Sequence, residues 1–466
     1  MSQHNASQQL PPAVEPALSR RAFLKWSAIA SGVMASGVLG ACAPAAAPQA
    51  ATEGGEAAAP AAESAEVVMW ARRQFLPESN DWLMESAQMA GEEGGFNVRV
   101  DWLTNDDATQ KQFAAAEAGT LPDLNSTLLV AFYKRIGVAM ELSDLYNEVA
   151  ETGGGFYDAP TQKVTIDGEI YAVPLNAEPW FVHYRKSIFD AAGLTPPFAS
   201  LEELRAALEA VNDPGNGLWA FGGQMANADF EGNLLCLIHA NGGQVFDEEN
   251  NVVVNSPEAL AGLTYYTDLY KDGLVPPGAT GWDAAGNNQA YLSGQVACIS
   301  NTGSVVLAMR NDNQEMLEDT VIGPWPAGGP NGRPATVVGS FGMVIHNESS
   351  HVDECKQIVR KILSPERYPG NLEAAGSYWF SALKAYDSIP FFTEDPWNRM
   401  IQQDVIPHGR AAEFAGGPNP IYDELANAQA FGKMIERVVV DEWEPQAALD
   451  ELEATATEIA EKYASS

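Results

Sequence analysis

Between residues 66 and 124, short β-prone apolar runs alternate with helix-compatible stretches, and this alternation narrows the folds open to the chain more than any other feature. Residues 66–71 (EVVMWA) and 96–103 read as strands, 80–90 and 106–118 as helices, and Leu121-Pro122-Asp123-Leu124 opens a third strand. Strand, helix, strand, helix, strand predicts a mainly parallel sheet covered by its crossover helices. Such sheets take ligands at the carboxyl ends of their strands, so 72–74, 104–106 and 125–127 are the candidate site loops of this region.

A chain of 466 residues exceeds what one hydrophobic core usually organises, so two lobes are expected. Local signals further along agree with more α/β structure. Ser200-Leu201-Glu202-Glu203 is a capping box for a helix to Val211, and Ser256 stands as an N-cap before Pro257. An Asn-rich hairpin is expected over 242–255. The stretch from Pro445 carries Leu449, Leu452, Ala456, Ile459 and Tyr463 at helical spacing.

The net charge of −36, with only 26 Lys and Arg, argues against nucleic acid as a partner, because phosphate binding needs clustered cations. A strong single-sign charge also favours a soluble monomer. Apart from Cys42, the cysteines are Cys236, Cys298 and Cys355, an odd set without metal-ligand spacing. Buried free thiols are expected rather than a disulfide framework. No cofactor or metal is implied, and His183 reads as a core residue.

The N-terminus reads as a delivery signal. Arg20 and Arg21 lie in a short basic region ahead of an apolar stretch from Trp26 to Leu39, too short to span a bilayer and suited to a cleaved signal. The paired arginines suggest twin-arginine export. Leu39-Gly40-Ala41-Cys42 resembles the bacterial lipobox, in which the cysteine is acylated and becomes the first mature residue. Residues 1–41 are then the signal peptide. Residues 42–65, mostly Ala, Pro, Glu, Gly and Ser with no large apolar residue to bury, are a tether. Removing 1–41 takes away three cations and one carboxylate, so the acidity belongs to the folded region.

Five segments, in order, resemble the extracellular solute-binding family that includes the maltose-binding protein. They are 119–124 (GTLPDL), 167–174 (DGEIYAVP) continuing to 184–194 (YRKSIFDAAGL), 241–247 (NGGQVFD) with 254–259 (VNSPEA), 290–297 (AYLSGQVA) and 339–345 (GSFGMVI). Arg185 departs from the asparagine more often found there. The resemblance implies a two-lobe α/β fold of the type II periplasmic-binding class, closing like a hinge on a solute. It places the N-terminal lobe at 66–175 and 325–375 and the second lobe at 176–324 and 376–466. It also implies no enzymatic activity. The expected partners are a small ligand, a sugar or oligosaccharide, and the permease subunits of an ABC importer. The lipid anchor places the protein on the outer face of the cell membrane or in the periplasm.

A sugar presents C–H faces and a hydroxyl rim, so its site needs aromatic plates and polar rim groups. Seven tryptophans, at 70, 102, 180, 219, 282, 325 and 379, are expected at strand ends or in loops. Trp180, Trp282 and Trp379 are the candidate plates. Glu178 lies where the resemblance implies a cleft wall, and one of Arg72 and Arg73 is expected to pair with a cleft carboxylate or a ligand oxygen. Asn125 and Asp283 are rim candidates. Thr302 and Ser304 flank Gly303, whose small size is expected to let backbone N–H groups approach the ligand. Ser340, Phe341 and Tyr378 complete the set. Two rivals stay open: a secreted carbohydrate hydrolase using two carboxylates, and a ligand-sensing receptor component on the same fold.

Overall fold

The computed structural model describes residues 66–464 apart from 75, 105–107, 227–230, 284 and 414. The expectations for Arg20, Arg21, Cys42 and the tether, and for most of loop 104–106, lie outside the described residues.

One sheet runs in the order Asn97–Leu103, Glu66–Arg72, Leu124–Thr127, Gly342–Ile345, Val173–Pro174. The first three strands are parallel, joined by helices Pro77–Gly94 and Ala108–Ala118 as the alternation predicts. A second sheet runs Thr320–Gly323, Phe181–Arg185, Val296–Asn301, Trp219–Gly222. A third, small one joins Gly409–Arg410, Thr336–Gly339 and Glu178–Pro179.

The sheets are mixed, which corrects the expectation of mainly parallel ones. Gly342–Ile345 pairs antiparallel with both of its neighbours, and so does Phe181–Arg185. Parallel pairing needs a crossover helix between strands that follow one another. These strands instead join their sheets after long excursions through the fold, and nothing in their own residues sets their direction. Residues 125–127, expected as a loop, belong to the strand Leu124–Thr127 for the same reason: Gly342–Ile345 pairs along its whole length.

Alternate residues of Glu66–Arg72, namely Val67, Met69 and Ala71, face one core with Leu83 and Ala87 of Pro77–Gly94 and Ile358 and Val359 of helix Val352–Ile362. Each such large side chain contributes about 1.5–3 kcal/mol when fully buried. A second core gathers Val182 and Tyr184 with Leu204 and Leu208 of helix Leu201–Val211, Leu234 and Leu237 of Glu231–Ala240, and Leu449 and Leu452 of Pro445–Ala464. Trp325 and Val337 pack in this second core, whereas Phe380, Leu383, Phe392 and Val405 pack in the first.

Local signals place the helices accurately. Ser200 Oγ accepts the Glu203 N–H at 3.1 Å while the Glu203 carboxylate accepts the Ala199 N–H at 3.0 Å. Ser256 Oγ accepts the Ala259 N–H at 3.1 Å, with Pro257 opening helix Pro257–Lys271. Cys236, Cys298 and Cys355 are free and buried. His183 is buried in its strand beside Phe181 and Tyr291, and burial pulls its pKa down to about 3, so the ring is neutral.

Candidate functional site

The chain passes from the first sheet to the second through 174–181, and Glu178 sits in that crossover. Its two-residue strand pairs with Thr336–Gly339, setting Glu178 opposite Gly339, and leaves the side chain only 9% exposed. The Trp379 indole N–H donates to Glu178 Oε1 at 3.2 Å. The Tyr378 hydroxyl donates to the same carboxyl group, and Arg72 lies close enough to act on it electrostatically. Burial pushes the Glu178 carboxyl above its usual range, opposed by Tyr378, Arg72 and Trp379. Burial, then the Glu178 charge, holds the Tyr378 hydroxyl well above its ordinary value.

Aromatic rings close round this carboxyl group. The Phe341 and Trp379 ring centroids are 6.0 Å apart, and the Arg72 guanidinium lies 5.6 Å from the Phe341 centroid. Asn176 Oδ1 accepts the Phe341 N–H at 2.9 Å. Asn176 Nδ2 and Ser340 Oγ, both buried, have no hydrogen-bond partner in the protein. Sequence reasoning missed Asn176, although it stands two positions before Glu178 in the same crossover.

Thr302 and Ser304 reach the same region through Gly303. A Cβ on Gly303 would fall 1.5 Å from the Ser377 carbonyl oxygen and 3.2 Å from the Tyr378 Cα. Its small size therefore serves the close approach of another backbone segment. Asn301 Oδ1 accepts the Thr302 N–H at 2.7 Å, and Asn301 Nδ2 donates to Asn287 Oδ1 at 3.1 Å and Asn288 Oδ1 at 2.5 Å. Asn288 Nδ2 in turn donates to Ser304 Oγ at 3.2 Å. Asn287 and Asn288 gave no sequence signal, because a Gly-Asn-Asn run reads simply as a helix start.

Arg72, Glu178, Ser340, Phe341, Tyr378 and Trp379 thus form one group, with Thr302 and Ser304 beside it. The remaining candidates make other contacts. Arg73 is exposed, its guanidinium 6.0 Å from the Trp102 ring, as strand alternation sends neighbouring side chains to opposite faces. Asn125 is fully buried and donates to the Tyr133 hydroxyl at 2.8 Å. Trp180 is half-buried and packs over Gly232, where an added Cβ would meet its ring at 2.7 Å. Trp282 and Asp283 line a separate pocket of about 530 Å³ with Gly286, Gln289, Ser293 and Gln295.

Not all seven tryptophans stand at strand ends or in loops. Trp70 and Trp102 lie within strands. Trp325 is a core residue whose indole N–H donates to Ser300 Oγ at 2.9 Å. Among the described residues no group of three or more His, Cys, Asp or Glu is placed to hold a metal ion, and no helix is long and apolar enough to cross a membrane.

The same fold is found in solved structures. One is a sugar transporter protein of Arthrobacter chlorophenolicus A6 with bound laminaribiose. Its TM-score is 0.73 at 17% identity, covering 84% of this chain and 99% of that one. Another is an ABC transporter solute-binding protein of Thermotoga lettingae bound with α-D-tagatose. Its TM-score is 0.70 at 20% identity, covering 85% of this chain and 100% of that one. In sequence, the chain is 20% identical over 374 residues to a Brucella abortus protein named as a binding protein, covering 80% of this chain and 87% of that one. The two solved structures share the two-lobe type II architecture of this chain. The profile of one family, described as bacterial extracellular solute-binding protein, matches residues 85–399. With that match over most of its length, and the architecture to go with it, the chain belongs to the bacterial extracellular solute-binding protein family.

Proposed function

We propose that this protein is the solute receptor of an ABC importer, and that it binds a sugar or oligosaccharide between its two halves at the group around Glu178. One observation carries this reading: a buried carboxyl group ringed by an indole N–H, a tyrosine hydroxyl, an arginine and a phenylalanine face. A sugar hydroxyl rim pairs with such acceptors and donors, and its C–H faces pack on the rings. Asn176 Nδ2 and Ser340 Oγ support it further, since buried polar groups rarely stay without partners, and both stand ready for ligand hydroxyls. Laminaribiose and tagatose in the structural neighbours agree with this ligand class.

The family match supports a reading of binding without turnover, and among the described residues the group holds one carboxyl side chain, where glycoside hydrolysis by paired acids uses two. The family match supports delivery to permease subunits. The lobes are taken as 66–175 with 325–375, and 176–324 with 376–466, apart from Trp325 and Val337, which pack with the second core, and Phe380, Leu383, Phe392 and Val405, which pack with the first. The protein is further read as a monomer, exported through its Arg20-Arg21 signal and held at the membrane by acylated Cys42.

A thermal-shift screen of the full chain against tagatose, maltose, laminaribiose, ribitol and a set of amino compounds tests the ligand class, because a ligand bound only to the folded state raises the melting temperature. A sugar or polyol is expected to raise it. Stabilisation by amino compounds alone would overturn the assignment.

A further inference from the structure

A second buried polar group, distant in sequence from Glu178, joins the two halves. On one side are Phe132, in helix Val130–Arg135, and Lys163, just after helix Asp158–Gln162. Val130, Phe132 and Val164 pack in a small cluster that includes Val344 of the first sheet. On the other side are Glu231, which opens helix Glu231–Ala240, then Glu413, and Tyr422 and Asp423 of helix Pro420–Asn427. There Leu234, Ala412, Ile421 and Tyr422 belong to the second core.

Hydrogen bonds and ion pairs cross the seam. Lys163 Nζ meets Glu413 Oε1 at 2.5 Å, with both side chains almost wholly buried, and the Phe132 N–H donates to Asp423 Oδ2 at 3.0 Å. The Ala411 N–H donates to Gln162 Oε1 at 3.3 Å, and Arg135 Nη2 donates to the Tyr463 carbonyl at 2.7 Å. Behind them the Tyr422 hydroxyl donates to Glu231 Oε1 at 2.6 Å, and Glu413 Oε2 is left without a partner. Three carboxyl groups thus share one lysine, with Lys163, Glu413 and Asp423 buried and Glu231 half-buried at the edge of the group. Such a set is tolerated only while its charges are matched.

We propose that this seam is the closure latch of the protein, holding the halves together through Lys163–Glu413 and Phe132–Asp423, and that closing the halves takes up a proton there. The proposal rests on the hinge-closing reading given above. Protonating Asp423 removes one of two surplus negative charges and leaves its Oδ2 as acceptor for the Phe132 N–H. The groups facing Asp423 from the elements around it are Lys163, Glu413, Glu231 and Tyr133, with Tyr422 beside it and Tyr463 on the C-terminal helix. Burial raises the Asp423 pKa to about 7, with Lys163 pulling it down and Glu413 and Glu231 pushing it up. Opening returns it to the ordinary carboxylate value of about 4. A carboxyl raised in the closed form favours closure fully below the open-form value, and that preference is lost as the pH climbs through the closed-form value. Closure is therefore strongest near pH 4 and weakens until about pH 7.

Small-angle scattering of the full chain without ligand, from pH 4.5 to 8.5, reads the opening directly. Hydrogen exchange at the Phe132 amide, corrected for intrinsic rate, reads it at the latch. Both are expected to show a rising open fraction with pH, and Asp423→Asn, which keeps the acceptor and cannot titrate, is expected to abolish the rise. Glu231→Gln removes one neighbouring charge and is expected to move the transition to lower pH. A scattering profile independent of pH, an Asp423→Asn variant that responds like the wild type, or an unmoved transition in Glu231→Gln overturns the latch. Compaction by maltose or laminaribiose at pH 5 without any pH response sinks the latch and leaves the carrier reading standing. A pH response with no compaction by any sugar does the reverse.

Discussion

Trp379 donates its indole N–H to the buried carboxyl group of Glu178 at 3.2 Å, and so ties the crossover 174–181 to the segment where the chain returns beside it. The return is itself paired, with Ala177 opposite Phe380. A ligand that engages Glu178 therefore acts on both connections at once, which is where a hinge has to be read.

Glu178→Gln is expected to weaken sugar binding by roughly 10- to 150-fold, the equivalent of about 1.5–3 kcal/mol for hydrogen bonds to a charged group. Its effect on stability has the opposite sign. Burial holds the Glu178 carboxyl above its usual range, so its favourable contribution is present below the ordinary value and lost as the pH rises. The variant should melt no lower than the wild type at pH 8. Calorimetric titration with the best sugar from the screen, beside a melting curve, checks both halves; an unchanged affinity removes Glu178 from the site.

Gly303→Ala is expected to lose about 1–3 kcal/mol or more, because the new methyl group would lie 1.5 Å from the Ser377 carbonyl oxygen, a backbone atom with no rotamer to give way. The measurement is a denaturant midpoint. A variant as stable as the wild type would show that the contact between 302–304 and 377–378 is slack.

The melting temperature is expected to rise with sodium chloride up to a few tenths molar and then level off. A net charge of −36 repels itself, and added salt shortens the range of that repulsion. Sucrose at matched osmolality serves as the control, and a flat response to salt would place the acidic groups too far apart to interact.

Cys236, Cys298 and Cys355 should not react with a thiol reagent in the native protein at pH 8. Burial pushes the Cys236 thiol up to about 12 and holds the Cys298 and Cys355 thiols well above their usual range, so none is thiolate. All three should titrate once the chain is unfolded in guanidinium. Native labelling of any of them contradicts the packing described.

Cys42→Ala is expected to release the protein from the membrane fraction into the soluble one, since acyl chains on that residue would be its anchor. Fractionation with immunoblotting reports the outcome, and a variant that stays with the membrane rules out anchoring through Cys42.

Much of the fold was legible in residues close to one another. The caps at Ser200 and Ser256, the alternation through 66–124 and the C-terminal helix from Pro445 are short-range chemistry, in which a side chain satisfies its own helix or an apolar face repeats at a fixed period. Glu178 was legible as a candidate because a family-like segment brackets it, and Tyr378 and Trp379 because they are adjacent aromatics suited to a sugar face. What could not be read was which candidates meet. Arg72 joins the group and Arg73 does not, although they are neighbours, because strand alternation sends one of them away. Asn125 was named as a rim residue, and its amide N–H donates to the Tyr133 hydroxyl while its Oδ1 is left without a partner.

By itself, then, the sequence determined the class of structure and the order of the early elements, since each follows from spacing within a few turns of chain. Tertiary structure alone decided the direction of the strands that return to each sheet, the partner of Glu178, the need for glycine at 303 and the charge cluster around Asp423. Those depend on segments far apart in the chain meeting where water is excluded, and no local pattern encodes such a meeting.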